Sequence, residues 1–445
     1  MRKTINKLFL IITVISALLL TTGCDLFIKT NKGQVDQKWY MGLTYEDDNG
    51  NDTDYTIGTD GTIAAVALED GYGDEFGIIK GEEAYLNINT IIKNIDKRFY
   101  VDATNNLVMF TDATKTYKTK IGGKTINETE NTDYVISFMD GKNCYVNVKF
   151  VKKYVDFDYK VVKAEGKSPA RIVLKYTSGE KNQMTVKSNI EMRTKADYQN
   201  LIVTTLKKNT KVIVLEESGD WTKVGTDDGF MGYVPAKKLK DKETKKTEFK
   251  SDADTYTHVL MNKKISLGWN AITNLTANGN LETIIEHTKG LNVISPTWYS
   301  LSDNKGNLRS YASATYVEKA HSKGLKVWAL VNDFGTQDKA SKEYTKKVLT
   351  DTTKRENLVD NIMTNIKDYN LDGINIDFEF INKDIINSYL QFLRELSIEC
   401  RKAGKVLSID NYVPSSGSEY YDIAHQSLVA DYIIIMSYDE HYAGS

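Results

Sequence analysis

From Lys264 onward, short apolar runs alternate with amphipathic segments, and no other feature of the 445-residue chain limits its fold as strongly. The runs are Ile265–Trp269, Leu291–Pro296, Leu325–Val331, Leu371–Phe380, Val406–Ile409 and Tyr432–Tyr438. They are continuously apolar rather than alternating, as strands of a parallel sheet covered by helices are. Between the fourth and fifth, Ile386, Leu390, Leu393 and Leu396 recur at helical spacing, and Gly404 follows Arg401 and Lys402 as a stop. Between the third and fourth, Leu358, Ile362 and Ile366 make the same stripe. Repeated strand and helix units of this length predict a C-terminal α/β domain of the (β/α)8 barrel type, with its site at the C-terminal strand ends. A complete barrel takes about 250 residues. Residues 258–445 give six strands, so the expectation is a barrel stopping after its sixth strand, with an open six-stranded sheet as the alternative.

Within Leu371–Phe380, Asn375, Asp377 and Glu379 share one face of an extended strand, and Ile374, Ile376 and Phe378 share the other. The apolar face packs on helices. The polar face then lines the interior or its mouth, where two nearby carboxylates are costly unless used or paired. Like charges so close favour one proton on the pair, which suits general acid catalysis by Glu379 supported by Asp377.

The stretch Asp372-Gly373-Ile374-Asn375-Ile376-Asp377-Phe378-Glu379 resembles the fourth-strand signature of glycoside hydrolase family 18. Asn375 stands where most members carry Asp. With Met436-Ser437-Tyr438-Asp439 on the sixth strand, it is similar to the spore-germination and cortex-lytic N-acetylglucosaminidase branch. The resemblance implies that Glu379 protonates the glycosidic oxygen while the substrate's own 2-acetamido carbonyl attacks the anomeric carbon, with retention. It implies that Asp377 orients the acetamido group and that Tyr438 donates to its oxygen. Asn375 would tune Asp377 by hydrogen bonding alone. Asp439 and Met436 would contact the sugar, and Trp298 would offer a stacking face.

The rest of the chain reads as smaller modules. Arg2, Lys3 and Lys7, an apolar run from Leu8 to Leu20, and Thr21-Thr22-Gly23-Cys24 make an export signal over residues 1–24. The run is shorter than the roughly 20 residues that span a bilayer. It resembles a lipoprotein signal, which implies lipid attachment at Cys24 and an extracytoplasmic, membrane-anchored protein. Cys144 and Cys400 are too isolated for a disulfide scaffold and read as small buried hydrophobes. Residues 36–165 mix Val/Ile/Tyr/Phe stretches with Asp/Asn/Gly turns and predict a mostly-β domain. In it, Tyr85–Asn89, Thr90–Lys97 and Arg98–Asp102 resemble the strand-helix-strand unit of copper amine oxidase N-terminal-like stalk domains, with no copper ligands. Residues 184–239, with Trp221-Thr222-Lys223-Val224 and Gly232-Tyr233-Val234, predict a small β-barrel and resemble a bacterial SH3-like domain. Residues 240–257 are dense in charge and read as a linker.

With 58 Lys+Arg against 60 Asp+Glu, the chain lacks the polycationic surface that nucleic acid requires. No motif calls for a metal, nucleotide or other cofactor. The expectation is a retaining glycosidase acting on β-1,4 bonds beside N-acetylglucosamine in peptidoglycan. The alternatives are a chitinase and a catalytically silent glycan-binding surface protein.

Overall fold

The computed structural model describes residues 30–250, 256–335, 339–415 and 417–437. The chain forms two compact units, Met1–Thr90 with Asp156–Phe249, and Ile91–Val155 with Lys250–Ser445. This division cuts through residues 36–165, which the sequence presents as one domain.

Besides the short antiparallel pair Thr44–Glu46 and Asp52–Asp54, the first unit holds strands of two larger sheets. In one, Glu83–Asn87, Gly77–Lys80, Thr62–Ala67, Ala170–Lys175 and Asp158–Val162 are consecutive neighbours, antiparallel except for the parallel pair Thr62–Ala67 and Ala170–Lys175. The other has seven strands, with Met192, Val203, Val212, Val224 and Val234 buried on its inner side. Its last strand, Leu239–Thr247, pairs antiparallel with Gly179–Val186. The linker expected from residue 240 is therefore a strand over most of its described length. Its charge hides this: Lys, Asp, Glu and Thr fill a sheet edge whose side chains meet water, so backbone pairing rather than burial holds it, and edge charge deters further pairing. Lys242 also bonds Glu217 at 2.7 Å.

In the second unit, six strands lie side by side in chain order: β1 (Leu267–Asn270), β2 (Val293–Pro296), β3 (Lys326–Asn332), β4 (Gly373–Asp377), β5 (Val406–Tyr412) and β6 (Tyr432–Met436). Every neighbouring pair is parallel. The helices between them are α1 (Leu281–Glu286), α2 (Ala314–Ser322), α3 (Lys339–Leu349), α4 (Thr352–Asp368), α5 (Ile386–Ala403) and α6 (Ile423–Val429). Gly404 ends α5 in the left-handed conformation, φ 63°, and its N–H reaches the Arg401 carbonyl.

Register sorts the side chains into two faces. Ile294, Val327, Ala329, Val331, Ile374, Ile376, Leu407 and Ile409 are buried together with Leu358, Ile362, Leu393 and Leu396 of α4 and α5. Each such aliphatic side chain contributes about 1.5–3 kcal/mol by leaving water. On the opposite face, Val293, Trp328 and Val406 form an apolar floor with Leu267 and Tyr432. Beyond that floor, toward the C-terminal ends, the same face turns polar: Asn332, Asn375, Asp377, Ser408 and Asp410 are all buried.

Residues 91–155 belong to this unit because they make it polar and apolar contacts that burial strengthens. The backbone N–H of Thr352 donates to Asp102 at 2.6 Å, Gln391 donates to Thr111 Oγ1 at 2.8 Å, and the Tyr100 hydroxyl bonds Ser388 Oγ at 2.9 Å. Arg355, fully buried, forms two bonds of 2.7 and 3.0 Å with Glu395 while its guanidinium lies 5.1 Å from the Tyr100 ring centroid. Cys144 and Cys400 are buried, and burial pushes the Cys144 thiol up to about 12.

Candidate active site

Strand β4 begins at Gly373 because nothing larger fits: a Cβ there would stand 2.6 Å from the Val406 carbonyl oxygen and 2.9 Å from the Trp328 ring. Two residues on, the side chain of Asn375 is fully buried and triply bonded. Its Oδ1 accepts from Trp269 Nε1 and from Ser295 Oγ, both at 3.2 Å, and its Nδ2 donates to Asp410 Oδ1 at 2.9 Å. Among the described residues Asn375 makes no bond to Asp377, so the expected direct tuning is not the contact found. The amide serves the neighbouring strand instead.

Asp377 ends β4 and is 8% exposed. Burial, then Asp410, Glu379 and Asp333 in turn, push its carboxyl up to about 8. Asp410, buried on β5, is pushed up to about 7 by burial, against the Asn375 and Trp269 hydrogen bonds that favour its charged form.

Glu379 lies two residues past the end of β4, so strand alternation alone does not place it. Asp333, buried just beyond β3, does so. Its Oδ1 accepts from the Glu379 N–H at 2.9 Å and its Oδ2 from the Phe380 N–H at 3.1 Å, with the Thr345 hydroxyl adding a bond of 3.0 Å. Burial still holds Asp333 up at about 6. The Tyr421 hydroxyl donates to the Glu379 carbonyl at 3.3 Å, and the Tyr412 hydroxyl donates to Glu379 Oε2 at 2.6 Å. Glu379 is half-buried, its carboxyl within reach of solvent.

The structure thus brings together Asn375, Asp377 and Glu379, and sets Met436 beside Tyr412 in the next register row. Trp298 is elsewhere. It follows the strand-ending Pro296, is 1% exposed, packs edge-on to Tyr316 at 5.1 Å between ring centroids, and donates Nε1 to Asn278 at 2.8 Å. Its ring is core packing and presents no stacking face. Tyr438, Asp439 and Cys24 lie outside the described residues. Four residues of the site are missing from the sequence reading: Asp333, Asp410, Tyr412 and Trp269. Trp269 is in register with Ser295 on β2 and is 39% exposed, so its indole is the aromatic surface open beside Asn375.

Chemically, the cluster sets one solvent-reaching carboxyl on a rigid backbone hold, next to buried carboxyls that burial and mutual repulsion push above the ordinary carboxylate range. That is an accessible carboxyl beside buried carboxyls whose charge state can change.

Residues 291–444 match the family model of the glycosyl hydrolases family 18, and residues 188–240 match the bacterial SH3 domain. Over 111 residues the chain is 35% identical to Bacillus subtilis (strain 168) YdhD, whose name describes it as a candidate sporulation-specific glycosylase, covering 24% of this chain and 26% of that protein. Over 165 residues it is 26% identical to the uncharacterized glycosylase YvbX of the same strain, covering 34% of this chain and 46% of that protein. The chain therefore spans less than half the length of these two relatives. Among solved structures, the spore cortex-lytic enzyme SleL of Bacillus cereus aligns with 20% identity and a TM-score of 0.36, over 41% of this chain and 42% of that one. Asp333, Asp377, Glu379 and Asp410 all fall within the matched residues, and the chain carries a glycosyl hydrolase family 18 domain together with a bacterial SH3 domain.

Proposed function

We propose that the chain is a retaining glycosidase that cleaves β-1,4 bonds beside N-acetylglucosamine, with Glu379 as the general acid. The observation that carries this reading is the pairing of a half-buried, backbone-held Glu379 with buried Asp377 at the C-terminal end of β4, where an α/β barrel keeps its chemistry. Glu379 protonates the leaving oxygen, and the substrate's acetamido carbonyl closes on the anomeric carbon. Asp377, once ionised, accepts the acetamido N–H and offsets the developing oxazolinium charge. Tyr438 donates to the acetamido oxygen, Met436 bounds the sugar pocket, Asp439 meets sugar hydroxyls, and buried Asn375 supports the site from beneath through Asp410.

Peptidoglycan is the proposed substrate. The SH3 domain and the sporulation glycosylase among the relatives support wall glycan over chitin. Lipid attachment at Cys24 would hold the protein at the outer face of the membrane; Cys24→Ser should then release it from the membrane fraction, and retention there would dismiss the anchor. The test of the activity is digestion of purified peptidoglycan and of chitin, with mass spectrometry of the new reducing ends. Peptidoglycan fragments ending in N-acetylglucosamine support the reading, chitin products alone point to a chitinase, and no product from either points to a silent glycan binder. Glu379→Gln should lose at least about 100-fold in turnover while keeping affinity.

A further inference from the structure

Strand β4 carries Asn375 where an acid would give Asp377 a partner on its own strand, yet the site still holds a second inward carboxylate. It comes from β5. Parallel register sets Asn375 against Ser408 and Ile376 against Ile409, where the ladder ends; one residue further on each strand, Asp377 and Asp410 fall on the same face as Asn375 and Ser408, near enough for Asp410 to act on the Asp377 carboxyl. The Asn375 amide occupies Asp410 Oδ1 at 2.9 Å, and among the described residues Asp410 Oδ2 is left buried without a hydrogen-bond partner. Asp377 Oδ1 is in the same condition among the described residues. Asn332 is in register with Asp377 as well, but the atom it leaves buried and unpaired among the described residues, Oδ1, is another acceptor. Buried carboxylate oxygens without a donor are costly, and adjacent ones are relieved together by one hydrogen.

We propose that Asp410 is a positioning residue that holds one proton in common with Asp377 between β4 and β5, replacing the acid that Asn375 lacks. This rests on the glycosidase reading for its role in turnover. When an acetamido N–H reaches Asp377, the proton passes from Asp377 Oδ1 to Asp410 Oδ2. Asp377 becomes the anion that accepts the N–H, Asp410 becomes the neutral acid, and the charge of the pair is unchanged. Asn375 fixes which Asp410 oxygen is free to receive the proton. The other groups facing Asp377 are Glu379 and Asp333 at the ends of β4 and β3, Tyr412 on β5, and Tyr389 on α5. Burial and these neighbours hold both aspartates above the ordinary carboxylate range, as a shared proton requires.

The test is a carboxyl-carbon NMR titration of the full chain labelled at aspartate, with Asp377→Asn and Asp410→Asn to assign the two signals. In the wild type both signals should respond in the same two steps. In Asp410→Asn the upper step should vanish and Asp377 should titrate about one pH unit lower, because a like charge has gone. The acid limb of the pH profile of kcat/KM, which in the wild type is the lower of the two steps, should move in Asp410→Asn to the pH of the single remaining Asp377 step, and Asp410→Glu should restore the two-step behaviour. An Asp377 signal that titrates in a single step at an unchanged pH in wild type and variant overturns the proposal. Should Asp410→Asn not fold, the wild-type line shape, assigned through Asp377→Asn, still decides it. The titration needs no turnover, so a chain inert on every glycan would sink the glycosidase reading and leave the carboxyl pair to be judged separately.

Discussion

The hydroxyl of Tyr412 donates a 2.6 Å hydrogen bond to Oε2 of Glu379, tying the end of β5 to the acid that follows β4. Burial, and then Glu379 itself, keep the Tyr412 phenol protonated well beyond neutral pH, so the donor is present throughout the working range. Glu379 is thereby fixed at both ends, its backbone by Asp333 and its carboxyl by Tyr412.

Removing the side-chain hold should affect chemistry more than binding. In Tyr412→Phe, kcat should fall about tenfold with KM within about twofold, since a loosely held acid loses orientation rather than affinity. Steady-state kinetics on soluble peptidoglycan fragments checks this, and a KM effect larger than the kcat effect would place Tyr412 in sugar binding instead.

The raised carboxyls also make stability depend on pH. Asp333, Asp377 and Asp410 sit at about 6, 8 and 7, against about 3.9 in an unfolded chain. The folded state therefore holds more protons than the unfolded one, and stability falls as pH rises from about 4 through 8. Asp377→Asn should raise Tm relative to wild type more at about pH 8 than at about pH 5. Calorimetry at the two values tests the sign, and an equal shift at both would contradict it.

Arg355 and Glu395 are a buried ion pair, so breaking it from one side leaves an unpaired charge. Arg355→Ala should cost about 3–5 kcal/mol in urea unfolding, and Arg355→Met combined with Glu395→Leu should recover most of it. A cost below about 1 kcal/mol for the single variant would show the pair to be hydrated.

Two tryptophans should separate cleanly. Trp269→Ala should weaken binding of N-acetylglucosamine oligomers by about 5- to 10-fold through loss of a stacking face while leaving Tm close to wild type. Trp298→Ala should do the reverse, destabilising the fold by about 3–5 kcal/mol through a cavity. Calorimetric binding and unfolding on the same two variants decide between them.

The parallel strands were legible because buried strands of this kind are continuous apolar runs, and Gly404 marked the end of α5 through its backbone alone. The inward placement of Asn375 and Asp377 followed from alternation in β4. The same alternation runs on through Ser408, Asp410 and Tyr412, but the apolar signal of β5 ends at Ile409, and the polar residues beyond it look like a loop. Asp333 was hidden for another reason. It acts through backbone N–H groups more than forty residues away in sequence, and no local pattern encodes that. Trp298 misled because a strand-end tryptophan reads as a site residue, while Pro296 turns the chain and sends the ring into the helix layer. Residues 91–155 gave no sign of their attachment, since Asp102, Thr111 and Tyr100 find their partners through tertiary contacts alone.

That attachment bears on how the protein can be taken apart. A fragment starting at residue 256 would keep every residue of the acid cluster but would strip Tyr100 from the Arg355 guanidinium, the Asp102 carboxylate from the first turn of α4, and Thr111 from Gln391. The helices behind the site would then face water with polar groups placed for partners that are no longer there. The unit that holds the acid cluster is not a cassette in the linear sense: it includes a stretch that precedes the SH3 domain in sequence, and module swaps drawn along the chain would cut through its fabric.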